Sequence, residues 1–152
     1  MDLDEIDKKL LNLLQKDCKK TTKAYALELD LSTTATYERI RKLEREGVVE
    51  GYVAILDKSK IKKDFTVFCN VRLIQHTKDN IKRFEKQIQE LVEVTECHHI
   101  SGDYDYILVI NVENMKAYRE FMVSKLTAID QIGSTQSSFS IDAVKQTTQI
   151  LL

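Results

Sequence analysis

The hydrophobic period of this chain changes once, and the change divides it. Leu3, Ile6, Leu10, Leu13 and Leu14 recur at intervals of three and four, the spacing of one helix face. From Phe65 onward Val67, Cys69, Val71 and Leu73 recur at every second position, the spacing of a half-buried strand. Between the two lies a charged stretch, DKSKIKKD, from Asp57 to Asp64. The pattern predicts two domains within the 152 residues: a helical one over 1–60 that includes a hinge, and a mixed one over 61–152.

In the first domain, residues 3–16 are predicted to form one helix and TKAYALEL, Thr22 to Leu29, a second, with Tyr25, Ala26 and Leu29 turned inward. A third helix is marked at both ends. Ser32 is placed to accept a hydrogen bond from the free N–H groups of its first turn, and Gly47 to take the left-handed conformation that closes it. On a helical wheel Thr36, Tyr37, Ile40 and Leu43 face one side, while Thr34, Ala35, Glu38, Lys42 and Arg45 face the other. Two short helices joined by a three-residue turn, the second basic and polar outside, form a helix-turn-helix that can lay its second helix in the DNA major groove. A small helical cap packed on another body has the same spacing. Val48, Val49, Tyr52, Val53, Ile55 and Leu56 follow as a β-favouring run, read as a short strand or hinge.

The second domain reads as strand 65–74, a helix through Ile81, Phe84, Ile88 and Leu91, strands 94–100 and 106–112, a helix over about 114–126 and a strand 132–141. The order β-α-β-β-α-β is that of a ferredoxin-like sandwich with helices on one face of the sheet. Residues of the alternate register, such as Phe68 and Ile74, then occupy an uncovered face, which calls for a dimer built sheet to sheet.

Hydrophobic content of 43% with 31% charged residues is that of a soluble globular chain, and no apolar run approaches a membrane span. The start, MDLDEIDKK, lacks the basic-then-apolar order of a secretory signal, and Cys18, Cys69 and Cys97 are odd in number without a CxxC pair. A reducing, cytoplasmic compartment is expected. Net charge is −1, yet residues 16–45 carry eight basic against five acidic side chains, so a local basic surface of +3 stands against −4 elsewhere. A solvated face of mixed charge is the ordinary explanation of such a balance. Cys97, His98 and His99 invite a metal reading, but neighbours on a strand alternate faces and cannot converge on one ion. Neither a recognisable nucleophile triad nor a glycine-rich phosphate loop is present, so no catalytic residue and no cofactor is assigned.

Three blocks in order, LDEIDKKLLNLLQKD, LSTTATYERIRKLEREGVVEGYVAILD and ECHHISGDYDYILVI, give a resemblance over nearly the whole chain to the leucine-responsive/asparagine-responsive (Lrp/AsnC, feast or famine) transcription regulators of bacteria and archaea. That resemblance implies an α+β protein: an N-terminal winged helix-turn-helix domain that binds double-stranded DNA and a C-terminal ferredoxin-like βαββαβ domain that binds an effector. It implies a homodimer assembling to an octamer, associated with the nucleoid, whose assembly responds to an amino acid or related metabolite. On this reading Ser32, Thr33, Thr34, Ala35, Glu38, Arg39, Arg41, Lys42 and Arg45 form the DNA surface.

A glycine turn flanked by acids offers N–H donors to a carboxylate and acceptors to an ammonium group, although an ordinary acidic hairpin turn has the same composition. The resemblance makes Ser101, Gly102, Asp103, Tyr104 and Asp105 part of an amino-acid site at the contact between dimers, with Thr127, Thr135 and Ser137 as further lining. The chain departs from the family pattern at Asp30, where glycine is usual, at Thr33, where proline is frequent, at Lys20, where an apolar residue is usual, and at Leu27, on an expected polar face. Two rivals remain on sequence alone: an effector-free architectural protein that wraps DNA, and a small enzyme of the same fold.

Overall fold

A computed structural model describes residues 2–152 and divides into two compact units, one of residues up to Ile55 together with Val144–Leu152, the other of Leu56–Ala143. The segment after residue 143 therefore packs with the helical unit, whereas the change of period places it with the sheet.

The first unit holds three helices, α1 (Glu5–Lys16), α2 (Thr22–Leu29) and α3 (Thr33–Arg45). Each begins on a side-chain cap. Asp4 accepts from the Asp7 N–H at 2.7 Å while the Asp7 carboxylate reaches back to the Asp4 N–H, a reciprocal capping box. Thr21 accepts from Ala24 and Ser32 from Ala35. The turn between α2 and α3 is three residues long and depends on Asp30, which adopts the left-handed φ of 55° while Leu31 N–H returns to the Ala26 carbonyl. Gly47, at φ 71°, closes α3 in the same manner, with Val48 N–H bonded to Leu43 O and Gly47 N–H to Glu44 O. Leu10, Leu11, Leu14, Tyr25 and Leu43 form the core.

Two expectations change here. Tyr37 is 50% exposed rather than inward. Only Thr36 and Leu43 on α3 are buried, with Ile40 half-buried between them, so α3 rests on a strip one residue wide and Tyr37 lies a full step round the helix from it. Among the described residues, 48–56 pair in no ladder, and Tyr52, Val53, Ile55 and Leu56 are exposed.

The second unit is an antiparallel sheet of order β2-β3-β1-β4, made of β1 (Phe65–Leu73), β2 (Val94–His99), β3 (Tyr106–Val112) and β4 (Ile132–Phe139). Two helical segments cross it, α4 (Lys78–Gln89) and α5 (Met115–Phe121), the latter running into a π-helical turn over Met122–Leu126. β1 alternates: Val67, Cys69, Val71 and Leu73 are buried with Leu108, Ile110, Phe84 and Phe121, whereas Phe68 is 39% exposed. Burying Phe84 completely contributes about 2–3 kcal/mol. The opposite face carries Phe68 beside Val109, with Asn70 beside Ile107, and no element of this chain covers it among the described residues.

Candidate functional site

On α3 the side chains of Thr33, Thr34, Ala35, Glu38, Arg41, Lys42 and Arg45 are exposed, as is the capping Ser32. They differ in how free they are. Arg41 is bonded to Glu44 at 2.9 Å, and Arg45 lies 3.7 Å from the carboxylate of adjacent Glu46. Lys42 makes no ion pair among the described residues, so its ammonium is the cation of this face best able to take a phosphate.

Arg39 is turned away from that role. Its guanidinium donates to Asp7 at 2.6 Å and to Asp4 at 2.8 Å, which binds α3 to the start of α1. The hydrogen bonds to Asp4 and Asp7 hold Arg39 more firmly protonated than usual, and the Asp7 N–H followed by Arg39 lowers the Asp4 pKa. Sequence reasoning missed these two aspartates as partners of α3. The signal available was their spacing of three, the mark of a capping box, which left one carboxylate with a second oxygen to satisfy.

The loop from Ser101 to Asp105 joins β2 to β3 at one end of the sheet. Gly102 has φ 130°, a conformation side chains rarely adopt, and a Cβ there would meet nothing within 4 Å. Its requirement is conformational. Asp105 faces inward: its carboxylate accepts from the Leu73 N–H at 2.7 Å and meets His76 Nε2 at 2.7 Å, with 18% of the side chain exposed. Burial alone would raise its pKa, but the Leu73 N–H and then His76 hold it below the ordinary carboxylate value. Arg72 donates to the Asp103 carbonyl at 2.7 Å and lies 5.3 Å from the centre of the Tyr104 ring. Asp103 thus has no side-chain partner for its carboxylate among the described residues, whereas Asp105 is committed to the fold of the loop.

Arg72 and His76 were not legible as site residues. Arg72 is the one charge in an otherwise neutral strand, and that was the available signal. Thr127, Thr135 and Ser137 do not share a hydrogen bond with the loop among the described residues. Thr127 Oγ1 donates to Met122 O, closing the helical segment. Thr135 pairs with Val71 on the helix-covered face, and Ser137 pairs with Cys69 and bonds the Tyr118 hydroxyl at 2.5 Å beneath α5. His98 stands on the opposite face from Cys97 and His99: it meets Glu96 at 3.0 Å, while His99 stacks on Tyr106. Partial desolvation of the sulfur and then Glu85 push the Cys97 thiol up to about 11.

Comparison with known proteins bears on both halves. Residues 3–50 match a family model described as winged helix-turn-helix DNA-binding, and residues 66–150 match the Lrp/AsnC ligand binding domain. The chain belongs to the Lrp/AsnC family. Its relatives include the leucine-responsive regulatory protein of Escherichia coli K12, 34% identical over 151 residues that cover 99% of this chain and 92% of that one. Among solved structures it is similar to an AsnC family transcriptional regulator from Agrobacterium tumefaciens, with TM-score 0.93, 35% identity and 97% and 95% of the two chains covered. A transcriptional regulator from Neisseria meningitidis in complex with L-Met superposes with TM-score 0.94 at 28% identity, covering 98% and 96%. The Lrp/AsnC assignment makes the chain a transcription regulator with a DNA-binding and a ligand-binding domain, not an enzyme.

Proposed function

We propose that this regulator reads double-stranded DNA with the N-terminal half of α3 and responds to an amino acid held at the Ser101–Asp105 loop. The observation that carries the DNA assignment is the division of labour on α3: Arg39 fixes the helix from behind, which leaves Thr34, Ala35 and Glu38 for base edges and Lys42 and Arg45 for phosphates. Lys42→Ala should weaken all sequences about equally and reduce the slope of log affinity against log salt by about 0.9. Unchanged affinity and slope would contradict this orientation.

The effector role rests on Gly102, whose Cα is open to an approaching ligand, and on the unengaged Asp103 carboxylate, suited to an ammonium group. Asp105 acts by shaping the loop. Thr127, Thr135 and Ser137 belong to such a site only if a neighbouring copy brings its own loop to them. The exposed sheet face around Phe68 and Val109 supports a homodimer, and dimers assembling further, to an octamer, would set several recognition helices along one DNA. An effector that binds one assembly better than another then shifts DNA binding by linkage. No helix among the described residues is long and apolar enough to cross a membrane. The proposed place of action is the nucleoid in the cytoplasm.

A further inference from the structure

Residues 149–152 lie extended along α1, held by side-chain amides that bond their backbone. Gln15 Nε2 donates to Ile150 O at 2.9 Å while Ile150 N–H donates to Gln15 Oε1 at 2.7 Å. Asn12 repeats the exchange with Leu152, at 3.2 and 3.3 Å. Each carboxamide has one donor side and one acceptor side, so it can engage both polar groups of a single residue, as a neighbouring strand does in an antiparallel hydrogen-bonded pair. The spacings agree. Asn12 and Gln15, three apart on a helix, stand about 5–6 Å from each other. Residues 150 and 152, two apart on an extended chain, present their groups to the same side about 6.7 Å apart. Gln149 Nε2 adds a bond to the Gln15 carbonyl at 3.4 Å, one of the last-turn carbonyls that α1 itself leaves unsatisfied. The side chains of this segment take little part: Ile150 is 73% and Leu151 85% exposed.

We infer that residues 149–152 are a strap, an extended segment of the chain's own that Asn12 and Gln15 hold on α1 by its backbone, with the Gln149 side chain adding one bond. The strap follows β4 by ten residues, so the DNA-binding unit is joined to the ligand-binding unit at two points of the chain, 55–56 and 143–144. The inference stands on contacts within the first unit and does not depend on the DNA or effector assignments above.

Because the clamp reads N–H and C=O groups, proline separates it from a side-chain contact. Ile150→Pro removes the N–H that Gln15 accepts, whereas Leu151→Pro removes an N–H outside the clamp and favours an extended conformation at residue 150. Amide exchange read at single residues in the full chain is the measurement. In the unmodified protein Ile150 and Leu152 should exchange about tenfold more slowly than Leu151. Ile150→Pro, or Asn12→Ala with Gln15→Ala, should bring Leu152 to the Leu151 rate, while Leu151→Pro and Ile150→Ala should leave Leu152 protected. Equal exchange at 150, 151 and 152 in the unmodified protein, or release of the strap by Leu151→Pro as complete as by Ile150→Pro, would overturn the inference. Co-refolding Ile150→Pro chains with Asn12→Ala/Gln15→Ala chains tests whose α1 the strap occupies. No protection should return; protection regained in the mixture would place the strap on a second copy and contradict the own-chain assignment.

Discussion

Arg39 on the recognition helix and Asp7 on α1 form a 2.6 Å ion pair in which the Asp7 side chain is only 2% exposed and that of Arg39 27%. Asp7 is already the third residue of the α1 capping box, so one carboxylate sets the start of α1 and, through Arg39, the seating of α3. The strip of α3 that packs is narrow, and a charged anchor of this kind resists rolling of the helix about its own axis.

Removing Arg39 should therefore act through stability first. Arg39→Ala leaves a buried carboxylate without its cation and should cost about 3 kcal/mol, whereas the double variant Asp7→Asn/Arg39→Ala should cost less than the two single changes together. Urea unfolding of the four proteins measures the coupling. Additive losses would mean that the pair has no role in seating α3.

The loop carboxyl gives a pH signature. A lowered folded pKa at Asp105 means that its contribution is complete above the ordinary aspartate value and is lost as pH falls through the folded value. Stability of the unmodified protein relative to Asp105→Asn should shrink as pH falls below about 4. A difference independent of pH from 2 to 7 would remove the charged bonds from Leu73 N–H and His76 as its source.

Much of this molecule was legible in its sequence, and the failures have a common cause. Ser32, Gly47 and the alternation Val67, Cys69, Val71, Leu73 are local signals, since a cap or a pleat needs only neighbours in the chain, and they describe the structure. Tyr37 was misplaced because a wheel shows a direction without showing how wide the receiving surface is. Arg39 looked like part of a basic face because its partners lie 32 and 35 residues away. Asp105 looked like a free acid for the same reason: the Leu73 N–H and His76 that occupy it come from the end of β1 and the segment after it. Thr135 and Ser137 came from resemblance; both lie on β4, where Ser137 bonds Tyr118 of α5 and Thr135 pairs with Val71.

The uncovered sheet face should hold two copies together. Phe68→Asp places a charge at its centre, opposite Val109 and beside Ser138, without touching the helix-covered core. Sedimentation at micromolar concentration should show the unmodified protein associated and the variant shifted to smaller species with its circular dichroism intact. Identical sedimentation would move the interface elsewhere.

Sensing and DNA binding should be separable. Gly102→Val imposes a side chain on φ 130° in a loop remote in sequence from the recognition helix. It should abolish the response to amino acids while ligand-free protein still retards its operator. Loss of DNA binding as well, with the fold intact, would make the loop an assembly element and not a sensor.

The most direct test of the whole account is a gel-shift titration of operator DNA with the unmodified protein, repeated in the presence of each of the twenty amino acids and paired with sedimentation of the same mixtures. At least one amino acid should change DNA affinity by about fivefold or more, the scale of an ordinary allosteric coupling, and should change the sedimenting species with it. DNA affinity and assembly unaltered by all twenty would contradict the account and leave a DNA-binding protein without an amino-acid effector.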